Sequence, residues 1–182
     1  MELSWAGKPL PEASPSKQEA APIKWPPLEV SEVYKAQPRT VVKVKAWRDE
    51  FLHGAGGIPV DTVSRWFERG RTLSLGPVQD GLGRMARENL GLAVVGLTDV
   101  RLNTESVRPG DELEVWVHAD LSKPRRPNMF QSVWLDGRCI AHGKTELVTL
   151  DISAQKLAKL PEWAKDYVRD AGQQTFERCG LP

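Results

Sequence analysis

Asp49 and His53 are the residues of this 182-residue chain whose types and spacing best suit them to chemistry. They lie in Trp47-Arg-Asp-Glu-Phe-Leu-His53, directly ahead of Gly54-Ala-Gly-Gly57 and Ile58-Pro59. A carboxylate at position 49 could serve as general base or nucleophile. The imidazole could orient water or substrate, or act as the base itself. Taken on the residues alone, Asp49 reads better as a solvated loop carboxylate that caps a turn, and His53 reads equally as a polar loop residue. Pro59 suits the first turn of a helix, where its missing N–H costs nothing. Such a helix start leaves N–H groups without partners and about half a positive charge. Gly56 and Gly57 let a ligand approach that backbone closely. Gly56, Gly57, Ile58 and Val60 are therefore a candidate cradle for a developing oxyanion, the alternative being a flexible connection. Asp61, in the first turn, complements the helix dipole, and Glu68 has Arg65 and Arg71 within ion-pairing reach along a helix.

Lys123, Arg125 and Arg126 form a basic cluster in a proline-broken segment; they could hold the phosphates of a phosphorylated carrier or simply face solvent. Trp66, Phe130 and Trp134 could line an apolar pocket, although aromatics at these spacings also make ordinary core. His118 and His142 have no metal-ligand spacing, so no metal is assigned. Cys139 and Cys179 make neither a disulfide framework nor a zinc site, and a reducing, cytoplasmic setting is expected. Lys and Arg number 25 against 24 Asp and Glu, a net charge of +1; that near balance argues against a nucleic-acid partner. No apolar run reaches the roughly 18–20 residues that would span a bilayer, and Met1 to Lys8 lack the apolar core of a secretory signal.

Several elements must position these residues. Seven of the 14 prolines fall in residues 1–38, so that stretch reads as an arm ahead of a domain at 39–182, unable to sustain a helix or central strand. Trp5, Trp25 and Leu28 argue that the arm packs across its own domain or a partner subunit, the alternative being a disordered leader. Thr40 to Trp47 alternates as a strand. Ile58 to Leu75 carries Val60, Val63, Phe67 and Gly70 at near-helical spacing, stopped by Gly76-Pro77. A shorter helix is expected over about 82–90. Strands follow at Leu92–Asn103, Leu113–Leu121, Met129–Leu135 and Arg138–Asp151, with turns at Arg108-Pro-Gly-Asp111 and Asp136-Gly137. From Ser153 a helical segment is expected to end before Gly172. One long helix against a meander of strands is an α+β layer pair.

Together these pieces resemble the hot-dog fold, and within it the 4-hydroxybenzoyl-CoA thioesterase-like acyl-CoA thioesterases. The resemblance rests on Asp49-Glu-Phe-Leu-His53, the small residues Gly54-Ala-Gly-Gly57, the helical Trp66-Phe67-Glu68-Arg69-Gly70-Arg71, and the Arg108-Pro-Gly-Asp-Glu-Leu113 turn, over roughly residues 39–165. Families of this type pass from the histidine straight into Val-Asn-Asn and the helix. Here Gly54 to Pro59 intervene and the Asn-Asn pair is missing. With the Asp-x-x-x-His spacing governing, Asp49 takes the catalytic carboxylate position; with the helix aligned without gaps, His53 falls there. The first register is preferred, because loops absorb insertions at little cost.

The resemblance implies an antiparallel sheet of about five strands wrapped around one long helix. It further implies an acyl-thioester hydrolase with catalytic Asp49 and His53, and substrate contacts at Trp66, Phe130, Lys123, Arg125 and Arg126. No separate cofactor is implied, coenzyme A or phosphopantetheine being part of the substrate, and the assembly would be a homodimer or homotetramer. Two alternatives stand beside it: a dehydratase or hydratase of a β-hydroxyacyl thioester, and a non-catalytic acyl-binding module.

Overall fold

The computed structural model describes residues 28–36, 39–51, 59–103, 107–169 and 173–175. Period-two alternation builds the sheet. In β1 (Thr40–Lys45), Val42 and Val44 turn inward while Lys43 and Lys45 turn out. β1 pairs antiparallel with β3 (Glu112–Asp120) in the register Val44↔Leu113 and Val42↔Val115, which stacks inward residue on inward residue. The same face continues through Met129, Gln131 and Val133 of β4 (Asn128–Leu135) and Ala141, Thr145 and Leu147 of β5 (Arg138–Asp151). β2 (Leu90–Leu102) completes the run at the far side. The order is β2-β5-β4-β3-β1, all antiparallel. Asp136 and Gly137 both have positive φ, at 49° and 73°, as a two-residue hairpin loop requires. Register shifts at Val133/Trp134 in the β4–β5 pair and at two points along β2 bend and twist the strands, so the sheet can curl.

The curl encloses α1 (Val60–Ser74), whose Val63, Trp66, Phe67, Gly70 and Leu73 face the sheet. Helix and sheet approach closely because glycines face both. A Cβ on Gly70 would lie 2.6 Å from Val115 Cγ1 and 3.0 Å from Val117 Cγ2, and one on Gly143 would lie 3.0 Å from the Phe67 ring. Gly70→Ala is therefore expected to destabilise the fold by about 1–3 kcal/mol through overpacking, despite alanine's better helix propensity. A thermal melt should show Tm lowered by several degrees; a higher Tm would mean the helix backs away freely. Val60, expected in the apolar stripe, is instead exposed, because the stripe begins at Val63.

A second apolar cluster closes the other end of α1. Leu75 meets Met85 of α2 (Leu82–Arg87), Leu160, and Ala164 and Val168 of α3 (Glu162–Arg169). Between α2 and α3 chain positions, β6 (Lys156–Leu157) pairs with β5, so the segment after Ser153 is helical only over its second part. β7 (Gln173–Thr175) adds to β1 in parallel, which the expectation of a purely antiparallel sheet of about five strands did not include. Its Gln-Gln-Thr sequence carries no alternation, and an edge strand of this length is held by main-chain bonds. Within the proline-rich stretch, a 3-10 turn at Glu32–Lys35 buries Tyr34 on the outer sheet face. The Tyr34 ring meets Phe130 edge-on at 5.6 Å and lies 4.6 Å from the His142 ring. Residues 1–27 and 37–38 fall outside the described residues.

Candidate active site

β1 ends where Ala46 N–H donates to the Asp111 carbonyl, and the chain then makes a 3-10 turn, Arg48–Phe51. Successive side chains on so tight a turn point apart, so Asp49 is exposed while Glu50 is 2% exposed. Glu50 enters the interior fully partnered. Its Oε2 accepts from the Trp47 main-chain N–H at 2.9 Å and from Trp66 Nε1 at 3.0 Å. Its Oε1 pairs with Arg69 Nη2 at 2.5 Å. The Arg69 guanidinium lies 3.7 Å over the Trp47 ring. Thr62, in the first turn of α1, donates its hydroxyl to the Glu50 carbonyl at 3.1 Å. The turn that carries Asp49 is thereby fastened to the start of the helix.

At that start, Pro59 precedes the first helical residue and its carbonyl accepts from the Thr62 and Val63 N–H groups. The Val60 and Asp61 N–H groups precede those first bonds, and with the helix dipole they favour negative charge. A carboxylate and a pair of main-chain donors thus share one end of the molecule. Such a pairing can activate water and stabilise an oxyanion on a carbonyl carbon.

Of the residues expected to act together, Asp49 and Val60 are at this end. His53, Gly56, Gly57 and Ile58 lie outside the described residues. Trp66 corrects its expectation: it is 0% exposed with its indole N–H bonded to Glu50, so it braces the turn and lines no open surface. Phe130 corrects it as well. It alternates with the inward Met129 and Gln131, which puts it on the sheet face away from α1, against Tyr34 and His118. Lys123, Arg125 and Arg126 are exposed in the β3–β4 connection, tied down through the carbonyls of Pro124 and Arg125, which accept from Leu160 and Thr149. They follow the last residue of β3, whereas Asp49 lies beyond its first. Nine strand residues put these ends about 25 Å apart.

Glu50 and Arg69 were not picked out by sequence reasoning. The signal was there: Arg69 falls inside the apolar stripe Val63, Trp66, Gly70, Leu73, and a buried guanidinium demands a carboxylate partner. Glu68 is exposed and reaches Arg71 only as a neighbouring charge. Arg71 Nη1 turns inward instead, to Gln131 Oε1 at 3.3 Å and Thr145 Oγ1 at 3.4 Å, and burial lowers its pKa. Cys139 is no candidate nucleophile, since burial raises its thiol pKa to about 11. A shallow groove bounded by Leu28, Val30, Trp134 and Cys139 belongs to the outer sheet face. No group of three metal-ligating side chains occurs among the described residues.

His142 is expected to make the stability of the fold depend on pH. It is buried beside Tyr34 and opposite Ser132 and Arg101, and its Nδ1 has no hydrogen-bond partner among the described residues. Burial lowers its pKa, Arg101 adds to this and Asp99 opposes it. A folded-state value below the unfolded one, ordinarily near 6.5, means the fold prefers the neutral ring. Stability is then expected to fall as pH drops from about 6.5 toward the folded-state value. Urea unfolding at pH 7.5 and 5.5 would show the loss, and His142→Phe should flatten it. An equal loss in both proteins would assign it to other groups.

No family model matches the sequence, and no curated protein matches it. Solved structures do. A 1,4-dihydroxy-2-naphthoyl-CoA thioesterase from Synechocystis matches 72% of this chain and 96% of its own at TM-score 0.60 and 15% identity. A DHNA-CoA thioesterase from Staphylococcus aureus matches 72% of this chain and 90% of its own at TM-score 0.60 and 18% identity. A probable thioesterase from Escherichia coli matches 71% and 96%, at TM-score 0.55 and 17% identity. At such identities the likeness speaks to the fold, which is the one expected: a curled antiparallel sheet around a helix.

Proposed function

We propose, from the hot-dog fold that this chain shares with those thioesterases, that it is an acyl-thioester hydrolase. It would release a carboxylic acid from an acyl-CoA or acyl-carrier thioester. The observation that carries this reading is the Thr62–Glu50 bond, which fastens the Asp49 turn to the helix end where the Val60 and Asp61 N–H groups are. In the reaction, Asp49 takes a proton from water as the oxygen adds to the thioester carbonyl carbon. The carbonyl becomes an oxyanion held by helix-end N–H groups, with Gly56, Gly57 and Ile58 completing the cradle. The oxyanion collapses, the C–S bond breaks, and the departing thiolate takes the proton from Asp49. His53 orients the water, or replaces Asp49 as base in the other register. No resident cofactor takes part.

The reading includes a homodimer. β2 forms one side of the sheet, and Val94 and Val95 there are 52% and 60% exposed. An open apolar edge is a surface that a second copy can cover. A second copy also answers the separation of Asp49 from Lys123, Arg125 and Arg126, because the basic cluster of one protomer can serve the phosphates of a ligand at its partner's helix end. A membrane location has no support in the helices, none of which, among the described residues, is long and apolar enough to cross.

A panel of acyl-CoA esters assayed for free thiol tests the reading, with His53→Ala assayed alongside. Thiol release by the wild type supports it. Water loss from a 3-hydroxyacyl thioester without thiol release would replace it with a dehydratase, and binding without turnover with a silent acyl-binding module. A monomer at micromolar concentration in sedimentation would remove the shared site.

A further inference from the structure

Adjacent carboxylates at positions 49 and 50 meet opposite environments, and the difference assigns them different work. Asp49 is exposed; Glu50 has both oxygens committed to Trp47, Trp66 and Arg69. A carboxylate whose two oxygens are so engaged is a good anchor. We infer that Glu50 and Arg69 are positioning residues, which set where Asp49 stands relative to the α1 N-terminus; this deepens, and rests on, the hydrolase reading.

The turn is held at three points. The Glu50 Oε2 bond to the Trp47 N–H closes the turn on itself. Its Oε1 reaches Arg69, and its carbonyl reaches Thr62. Thr62 and Arg69 are two helical turns apart on one face, so the turn can neither slide along α1 nor tilt against it. Arg69 is itself held by stacking on Trp47, which returns the constraint to the residue where the turn begins. A reacting group misplaced by about 1 Å can lose about 10²-fold in rate, so the clamp acts on turnover while touching no substrate.

Glu50→Gln keeps the size and one acceptor oxygen but removes the negative charge that faces Arg69. With a thioester that the wild type hydrolyses, kcat is expected to fall about 10–100-fold while KM stays within about threefold, because ligand contacts are not altered. Glu50→Gln with Arg69→Met removes both charges; its Tm is expected to recover while its kcat stays low. Hydrogen exchange of the 48–51 amides, measured in parallel, should speed up in both variants. Recovery of kcat together with Tm in the double variant would reduce the clamp to a stabilising ion pair, and an unchanged kcat in Glu50→Gln would overturn the inference outright. Either result leaves the hydrolase reading standing. Failure of the wild type to release thiol from any thioester would overturn that reading, and the catalytic meaning of the clamp with it.

Discussion

On the proposed hydrolase reading, Asp49→Asn is expected to lower kcat for thioester hydrolysis by about 10²–10⁴-fold, the contribution of a general base, and to leave the fold intact. Asp49 is exposed on the Arg48–Phe51 turn, so an isosteric exchange there should change stability by no more than about 0.5 kcal/mol. The bonds that tie the turn to Thr62, Trp66 and Arg69 come from Glu50, so Tm and the hydrogen exchange of α1 should match the wild type. Steady-state kinetics by free-thiol detection, beside a thermal melt, separates chemistry from folding. KM is expected to move little, because the asparagine fills the same space. His53→Ala in the same assay decides between the two registers. Retained turnover in Asp49→Asn with loss in His53→Ala would transfer the base to the histidine and leave Asp49 a turn residue.

Arg69→Met should be the most destabilising single substitution in this region, by about 3–5 kcal/mol, the cost of leaving one partner of a buried ion pair alone. The Glu50 side chain is 1% exposed and its ion-pair partner 10%, so water cannot easily replace the guanidinium. Stacking on Trp47 would be lost as well. Tm is expected to drop by about 10 °C or more, and the midpoint of urea unfolding to fall with the slope unchanged. Adding Glu50→Gln should restore most of the loss, since replacing both charges of a buried pair is often close to neutral. A loss below about 1 kcal/mol in Arg69→Met would mean that the Glu50 carboxylate swings out to solvent. The 48–51 turn would then be looser than its bonds imply.

Much of the fold was legible because its signals are local and periodic. Leu113, Val115 and Val117 alternate with polar neighbours and are buried; Asp136-Gly137 marks a hairpin and makes one. Val63, Phe67 and Gly70 repeat at helical spacing and face the sheet. β7 was not legible, because an edge strand held by main-chain bonds imposes no side-chain pattern. At the site, Asp49 was legible as a residue type at a strand end. The sequence could not say that Phe130 lies on the wrong face of the sheet, since alternation tells that two faces exist and not which one meets the helix.

Alternation, helical spacing and turn chemistry, then, already determine in the linear chain an α+β layer pair with a carboxylate between its first strand and its long helix, because each depends on neighbours within a few positions. Only the tertiary structure decides that Glu50 goes inside and Asp49 outside. Two adjacent acids look alike in the chain, and what separates them is Arg69, nineteen positions beyond Glu50, whose burial on the helix demands a counter-charge that Glu50 supplies.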